Sequence, residues 1–219
     1  MRYDYGLWPV VVANVALFLA FALGFLRPTT KREWRSLGVL SAFVVALFTE
    51  MYGFPLTIYL VAALLGRLPA GQPFSHESGN LWASLFLSPE WAWAFMLLGS
   101  LLIGGGFWLV ASAWRRIHAA QGQLVTEGPY ARLRHPQYTG LMLAIAGALV
   151  QWPTLVTLAM APVLLVVYWR LAAREDRELE AQFGDQHRAY RERVPAFVPA
   201  SMAFWRRQGQ TTSGEPDQS

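Results

Sequence analysis

Between Gly128 and Gly140 the chain gathers polar, cationic and aromatic groups: Gly128-Pro129-Tyr130-Ala131-Arg132-Leu133-Arg134-His135-Pro136-Gln137-Tyr138-Thr139-Gly140. Histidine is the side chain that titrates near neutrality, so His135 can hold a polar ligand or exchange a proton. Pro136 biases His135 away from helical angles, which sets Arg134 and His135 on an extended turn able to aim side chains and free amides at a ligand. Gly140 permits close approach of a helix or a cofactor. Further along comes the acidic pair Glu175-Asp176 between Arg174 and Arg177, followed by Leu179, Phe183-Gly184, Tyr190, Val194-Pro195, Phe197 and Pro199. A carboxylate and an imidazole around one small molecule make a charged, partly desolvated pocket.

Other chemistries have less support. Cysteine is absent, which removes disulfides, thiolate metal sites and a cysteine nucleophile. The four histidines, His76, His118, His135 and His187, lack metal-ligand spacing, so no metal is expected. Nucleic acid is not an expected partner either.

The elements that must position these residues are membrane helices. Over the 219 residues, 54% are hydrophobic and only 15% charged, more apolar surface than a soluble domain could hide. Residues 7–26 are an uncharged run of the ~20 residues that cross a ~30 Å hydrocarbon core. Arg27, Lys31, Arg32 and Arg35 follow as a cytoplasmic stop. Residues 36–66 contain Glu50, Gly53 and Pro55, and charge parity favours one long tilted helix, kinked near Pro55, over a hairpin. A third span covers 91–114 and ends before Arg115 and Arg116. The fourth and fifth share the block 138–169, broken at Gln151-Trp152-Pro153, and read as a tight hairpin with Trp152 as interfacial anchor.

The expected architecture is therefore an all-α integral membrane protein of about five transmembrane helices. It has the N-terminus outside, a C-terminal hairpin and a cytoplasmic C-terminal helix beyond Arg170. Residues 1–114 form the N-terminal membrane helices, 115–200 the region that carries the chemistry, and 201–219 a polar, disordered tail. Antiparallel fourth and fifth spans return Glu175 to the membrane face of His135 and Tyr138. Glu50, ionisable within an apolar run, is a functional candidate by default. Gly104-Gly105-Gly106 reads as a close helix-packing site.

The order G-P-Y-x-x-x-R-H-P-x-Y-x-G, a hydrophobic hairpin, an acidic pair, then L-x-x-x-F-G and Y-x-x-x-V-P-x-F-x-P resembles the isoprenylcysteine carboxyl methyltransferase family over roughly residues 123–199, within a wider phospholipid methyltransferase membrane superfamily. The resemblance implies S-adenosylmethionine in a cytoplasm-facing cavity and an isoprenoid or lipid-like acceptor entering from the bilayer. It implies cofactor contacts at Gln123, Leu124, Val125, Tyr130, His135, Pro136, Gln137, Tyr138 and Glu175, with Arg134, His135 and Glu175 as the catalytic set. The family's substrate arginine falls on Leu171, leaving Arg170, Arg174 and Glu50 as substrate candidates. Asp176 stands where the family often repeats glutamate, and His187 where it often has tyrosine. A carboxylate acceptor would need no general base, whereas an amine or thiol would call on Glu175 or His135. The competing readings are an NADPH-dependent sterol-type reductase and a non-catalytic membrane accessory protein.

Overall fold

The computed structural model describes residues 6–26, 31–53, 56–57 and 89–198. Arg27, Pro55, His76, most of the polar stretch 67–90, Pro199 and the tail 201–219 lie outside them. The described chain is helical, without a strand: α1 (Trp8–Leu26), α2 (Lys31–Phe48), α3 (Ala92–Ala119), α4 (Pro136–Gln151), α5 (Leu155–Phe183) and α6 (Asp185–Arg193). A π-helical turn, Thr49–Gly53, prolongs α2. Short 3₁₀ turns precede α3 (Pro89–Trp91) and α4 (Gly128–Ala131).

Among the described residues, three helices are long and apolar enough to cross a membrane: Trp34–Gly53, Ala92–Ala119 and Leu155–Phe183. Leu17, Trp93, Leu101, Trp108, Val163 and Trp169 are exposed on the outside of the bundle. Large apolar side chains turned outward on α1, α3 and α5 identify lipid as the solvent, and helices satisfy their own backbone there.

Each helix lies antiparallel to its main neighbour. The amides of Gly6 and Leu7, at the start of α1, donate to the carbonyls of Gly53 and Tyr52 at the end of α2, both at 2.9 Å. Tyr168 Oη donates to the Ser36 carbonyl at 3.1 Å, while the Leu155 amide donates to Thr57 Oγ1 at 2.8 Å, so α2 and α5 run in opposite directions. The described part of 36–66 is helical through Gly53, and residues 54–55 and 58–66, where the expected kink near Pro55 falls, lie outside the described residues; the helix is α2. It differs from expectation in beginning at Lys31, because lysine and arginine are good helix formers and extend the first turn. Its described irregularity is the π-helical turn at 49–53.

α3 and α4 approach through glycines. A Cβ added at Gly140 would stand 2.5 Å from the Gly106 carbonyl oxygen, and one at Gly147 2.7 Å from that of Gly99. Only hydrogen fits at these crossings, and the close approach lets backbones meet without a hydrophobic driving force. Of the expected Gly104-Gly105-Gly106 packing site, only Gly106 faces α4; Gly104 and Gly105 point into open space.

α4 and α5 are joined by Trp152-Pro153-Thr154. Thr154 caps α5 by accepting the Thr157 amide at 3.1 Å, and Thr157 Oγ1 reciprocates on the Thr154 amide at 3.1 Å. α5 is one unbroken helix of 29 residues, about 43 Å at 1.5 Å per residue. That exceeds the ~30 Å apolar core, and every charged residue of the helix lies after Trp169.

The seam has an internal control. Gly140→Ala or Gly106→Ala drives a methyl into the facing backbone and destabilises by about 1–3 kcal/mol, whereas Gly104→Ala and Gly105→Ala leave stability unchanged or slightly raised. Thermal unfolding of the four variants in one detergent checks the contrast; equal midpoints would contradict the packing.

Candidate functional site

The site forms where the start of α4 meets the charged turns of α5. His135 precedes Pro136, the first residue of α4, with φ −124° and ψ 59°, off the helix as the following proline requires. Its N–H and that of Arg134 are taken by the C-terminal strand-like segment: Arg134 N–H donates to the Pro195 carbonyl at 2.8 Å and His135 N–H to the Ala196 carbonyl at 3.1 Å. Arg134 Nε adds a bond to the Val194 carbonyl at 2.9 Å. The Val194-Pro195 motif is thus a brace for the histidine turn.

Glu175 and Asp176 hold the imidazole from two sides. Consecutive residues on a helix diverge by about 100°, so the adjacent carboxylates straddle the ring. Nε2 of His135 lies 3.1 Å from Asp176 Oδ1, and Nδ1 lies 3.7 Å from Glu175 Oε2. Arg134 Nη1 pairs with Asp176 Oδ2. Gln137 Nε2 donates to Glu175 Oε2 at 3.0 Å while its Oε1 accepts from Tyr130 Oη at 3.2 Å, which fixes the amide's orientation. Tyr190 Oη closes the far side on the Tyr130 carbonyl at 2.7 Å. The rings of Tyr138 and Phe197 flank His135 at centroid distances of 5.9 and 5.8 Å. His135 is 1% exposed and Glu175 6%.

These contacts set the electrostatics. Burial alone would push the His135 imidazole down, but the hydrogen bonds and charges of Asp176 and Glu175 outweigh it and raise the group above its ordinary 6.5. Burial likewise opposes ionisation of Asp176, yet His135 and Arg134 lower it to about 2. His187, fully buried with Nε2 3.5 Å from the same Asp176 oxygen, is held below its ordinary value chiefly by burial.

Of the residues singled out from sequence, the structure brings together Tyr130, Arg134, His135, Pro136, Gln137, Tyr138 and Glu175. Gln123, Leu124 and Val125 lie on the loop after α3, the first exposed and the others half-buried. Arg170 and Arg174 are exposed, and Arg174 Nε is engaged by Glu178 at 2.9 Å. Leu171 packs against the apolar core. Glu50 is not brought to this cluster, since it lies beside Thr57 at the opposite end of α5. Asp176, noted from sequence as the second acid of the pair where the family often repeats glutamate but given no role in the site, joins Arg134, His135 and His187.

Arg134 and, when protonated, His135 balance the two carboxylates, and both ring nitrogens of buried His187 lack hydrogen-bond partners. Fold and site together define an all-helical membrane protein with a braced imidazole–carboxylate cluster at the head of a helical hairpin.

Residues 94–186 match the family model for phospholipid methyltransferase. Protein-S-isoprenylcysteine O-methyltransferase B of Arabidopsis thaliana is 38% identical over 81 residues, covering 35% of this chain and 40% of that protein. Protein-S-isoprenylcysteine O-methyltransferase of Schizosaccharomyces pombe is 30% identical over 113 residues, 49% and 48% of the two chains. Cobalt-zinc-cadmium resistance protein CzcN of Cupriavidus metallidurans is 33% identical over 122 residues, 52% and 56%. The chain spans about half the length of the curated relatives it matches. Over this segment the chain is similar to isoprenylcysteine and phospholipid methyltransferases.

Asp176→Asn removes the charge that Arg134 and His135 share and costs about 3 kcal/mol of stability, as breaking a buried ion pair does; a drop no larger than that of the exposed Arg174→Ala would contradict the hub. The histidine also has a pH signature. Because His135 is raised in the fold, its contribution is complete below pH 6.5 and fades as pH climbs through the raised value. The stability gap between wild type and His135→Asn is therefore widest below pH 6.5 and narrows above it, read by thermal unfolding across a pH series. A gap that widens with rising pH would reverse the assignment.

Proposed function

We propose that the chain is an integral membrane, S-adenosylmethionine-dependent methyltransferase that methylates a carboxylate of an isoprenoid or lipid-like acceptor. The observation that carries the reading is the return of Glu175 and Asp176, on α5, to His135 at the head of α4. The match of residues 94–186 to the family model and the relatives' names support the reaction class. Five helices, α1 to α5, cross the bilayer in this reading, with the N-terminus outside and the site cytoplasmic; residues 115–200 form the catalytic region and residues 201–219 the tail.

When bound, S-adenosylmethionine supplies a methyl group already activated by its sulfonium charge. What the chain must add is alignment of donor and acceptor and exclusion of water. Glu175, held by Gln137, offers the cofactor a fixed negative partner. Tyr130 and Tyr190 lock the turn on which Gln137 sits, and Tyr138 presents an aromatic face beside the imidazole. Gln123, Leu124 and Val125 complete the cofactor contacts from the loop after α3, and Arg170 and Arg174, exposed at the membrane face, meet the acceptor's carboxylate.

The state of His135 favours an acceptor that arrives already deprotonated. An imidazole flanked by two carboxylates holds its proton more firmly than a free one, which makes it less available as a general base. A carboxylate oxygen has no proton to remove, whereas an amine or thiol does.

Calorimetric titration of the detergent-solubilised protein with S-adenosylmethionine and, separately, NADPH tests the reading. Binding of S-adenosylmethionine alone is expected, weakened ~30-fold or more by His135→Ala and by Glu175→Ala, equivalent to ~2 kcal/mol. Unchanged affinity in both variants, or binding of NADPH instead, would refute it; a scaffold would bind neither.

A further inference from the structure

α6 follows α5 through a turn that glycine permits. Gly184 stands at φ 52° and ψ −123°, a conformation that L side chains rarely adopt. Beyond it Asp185–Arg193 packs on α5, with Arg188 meeting Asp185 at 3.1 Å and Arg191 meeting Glu180 at 3.6 Å. What this packing delivers to the cluster is His187, 0% exposed, its ring 6.2 Å from that of Tyr190.

The His187 ring is buried without its hydrogen bonds. Nε2 lies 3.5 Å from Asp176 Oδ1, and neither ring nitrogen has a hydrogen-bond partner. An imidazole sealed from water with its N–H unused forfeits a hydrogen bond. The same Asp176 oxygen lies 3.1 Å from His135 Nε2, while Arg134 Nη1 occupies Oδ2. A carboxylate oxygen accepts two bonds, so Oδ1 can take a second. Burial lowers His187 below its ordinary 6.5 and leaves it neutral at neutral pH. A carboxylate only accepts, so the single ring proton belongs on Nε2, the nitrogen that faces it.

We propose that His187 is a positioning residue of the cluster: its Nε2–H is the second donor to Asp176 Oδ1, and by sharing that oxygen it sets how firmly Asp176 holds the His135 imidazole. Movement of about 0.5 Å brings the contact to ordinary hydrogen-bond length. Each donor on a carboxylate disperses its negative charge, and a weaker charge attracts a neighbouring proton less. The charged and titratable groups that act on His187 are Arg134 from the turn before α4, Asp176 and Glu180 from α5 and Arg191 from α6 itself, with Tyr190 beside the ring. Those around His135 are Glu175 and Asp176, with Arg134 on the far oxygen of the latter. The inference concerns the cluster itself and does not rest on the methyltransferase reading.

The full chain in detergent, isotopically labelled at its histidine ring nitrogens, is titrated by NMR across a pH series, with His135→Gln and His187→Phe identifying the two rings by loss of signal. In the wild type at neutral pH, the His187 ring is expected to be neutral with its proton on Nε2. His187→Phe keeps a ring and removes the donor; it raises the titration midpoint of His135 by about 0.5 pH unit, a ~3-fold tighter hold on the proton. His187→Gln can still present an N–H near the position of Nε2 and leaves the midpoint close to wild type. A proton on Nδ1 of wild-type His187 overturns the proposal without recourse to any variant. So does an unchanged or lowered His135 midpoint in His187→Phe, or a rise in His187→Gln as large as that in His187→Phe, which would make the effect one of packing. None of these readouts needs S-adenosylmethionine, so failure here and failure of the methyltransferase reading are separable.

Discussion

The two carboxylates in the charged turns of α5 organise the polar cluster at the head of α4. Asp176 satisfies Arg134 and His135 together, and Glu175 takes the other edge of the imidazole and the Gln137 amide. Charges this deeply placed persist only when paired and hydrogen-bonded. The pairing is therefore a condition of folding as much as a feature of the site: the turn before α4, the last turns of α5 and the C-terminal segment must be in place together, or ionised groups are left stranded. A preorganised cluster of this kind orients a ligand without rearrangement when it binds.

The membrane-embedded part serves that arrangement by different means. In lipid the apolar faces gain nothing by meeting each other, so α3 and α4 associate through shape, at Gly99, Gly106, Gly140 and Gly147. Gly140 lies one turn beyond Pro136, so the point of closest helix contact sits directly under the histidine turn. α5 is held by polar anchors instead, with Tyr168 on the Ser36 carbonyl at one end and the Leu155 amide on Thr57 at the other. Rigid support from the bilayer and charge pairing at its surface combine to place the imidazole.

Much of the site was legible from residue order. Pro136 placed His135 on a turn, the broken apolar block placed α4 and α5 antiparallel, and the return of Glu175 to the same face followed from that geometry. The packing glycines were half legible: a run of three drew notice, but whether a given glycine faces a neighbour depends on helix phase, and only Gly106 of the run does. Gly99 and Gly147, isolated in sequence, carried no comparable sign. Asp176 was hidden for a similar reason, since its importance comes from three partners that its own neighbourhood does not contain.

Sequence by itself determined the solvent, the helical class, the positions of the turns and the pair of regions that meet, because these depend on local composition, on proline's effect on its predecessor and on the length needed to cross a bilayer. Tertiary structure alone decided which oxygen faces which nitrogen, that His135 is gripped on both edges, that Val194 to Ala196 brace it, and that Glu50 stands by Thr57 at the far end of α5. Those outcomes turn on rotation about helix axes, where a shift of one residue is about 100°. Such phase is settled only when all the helices pack at once.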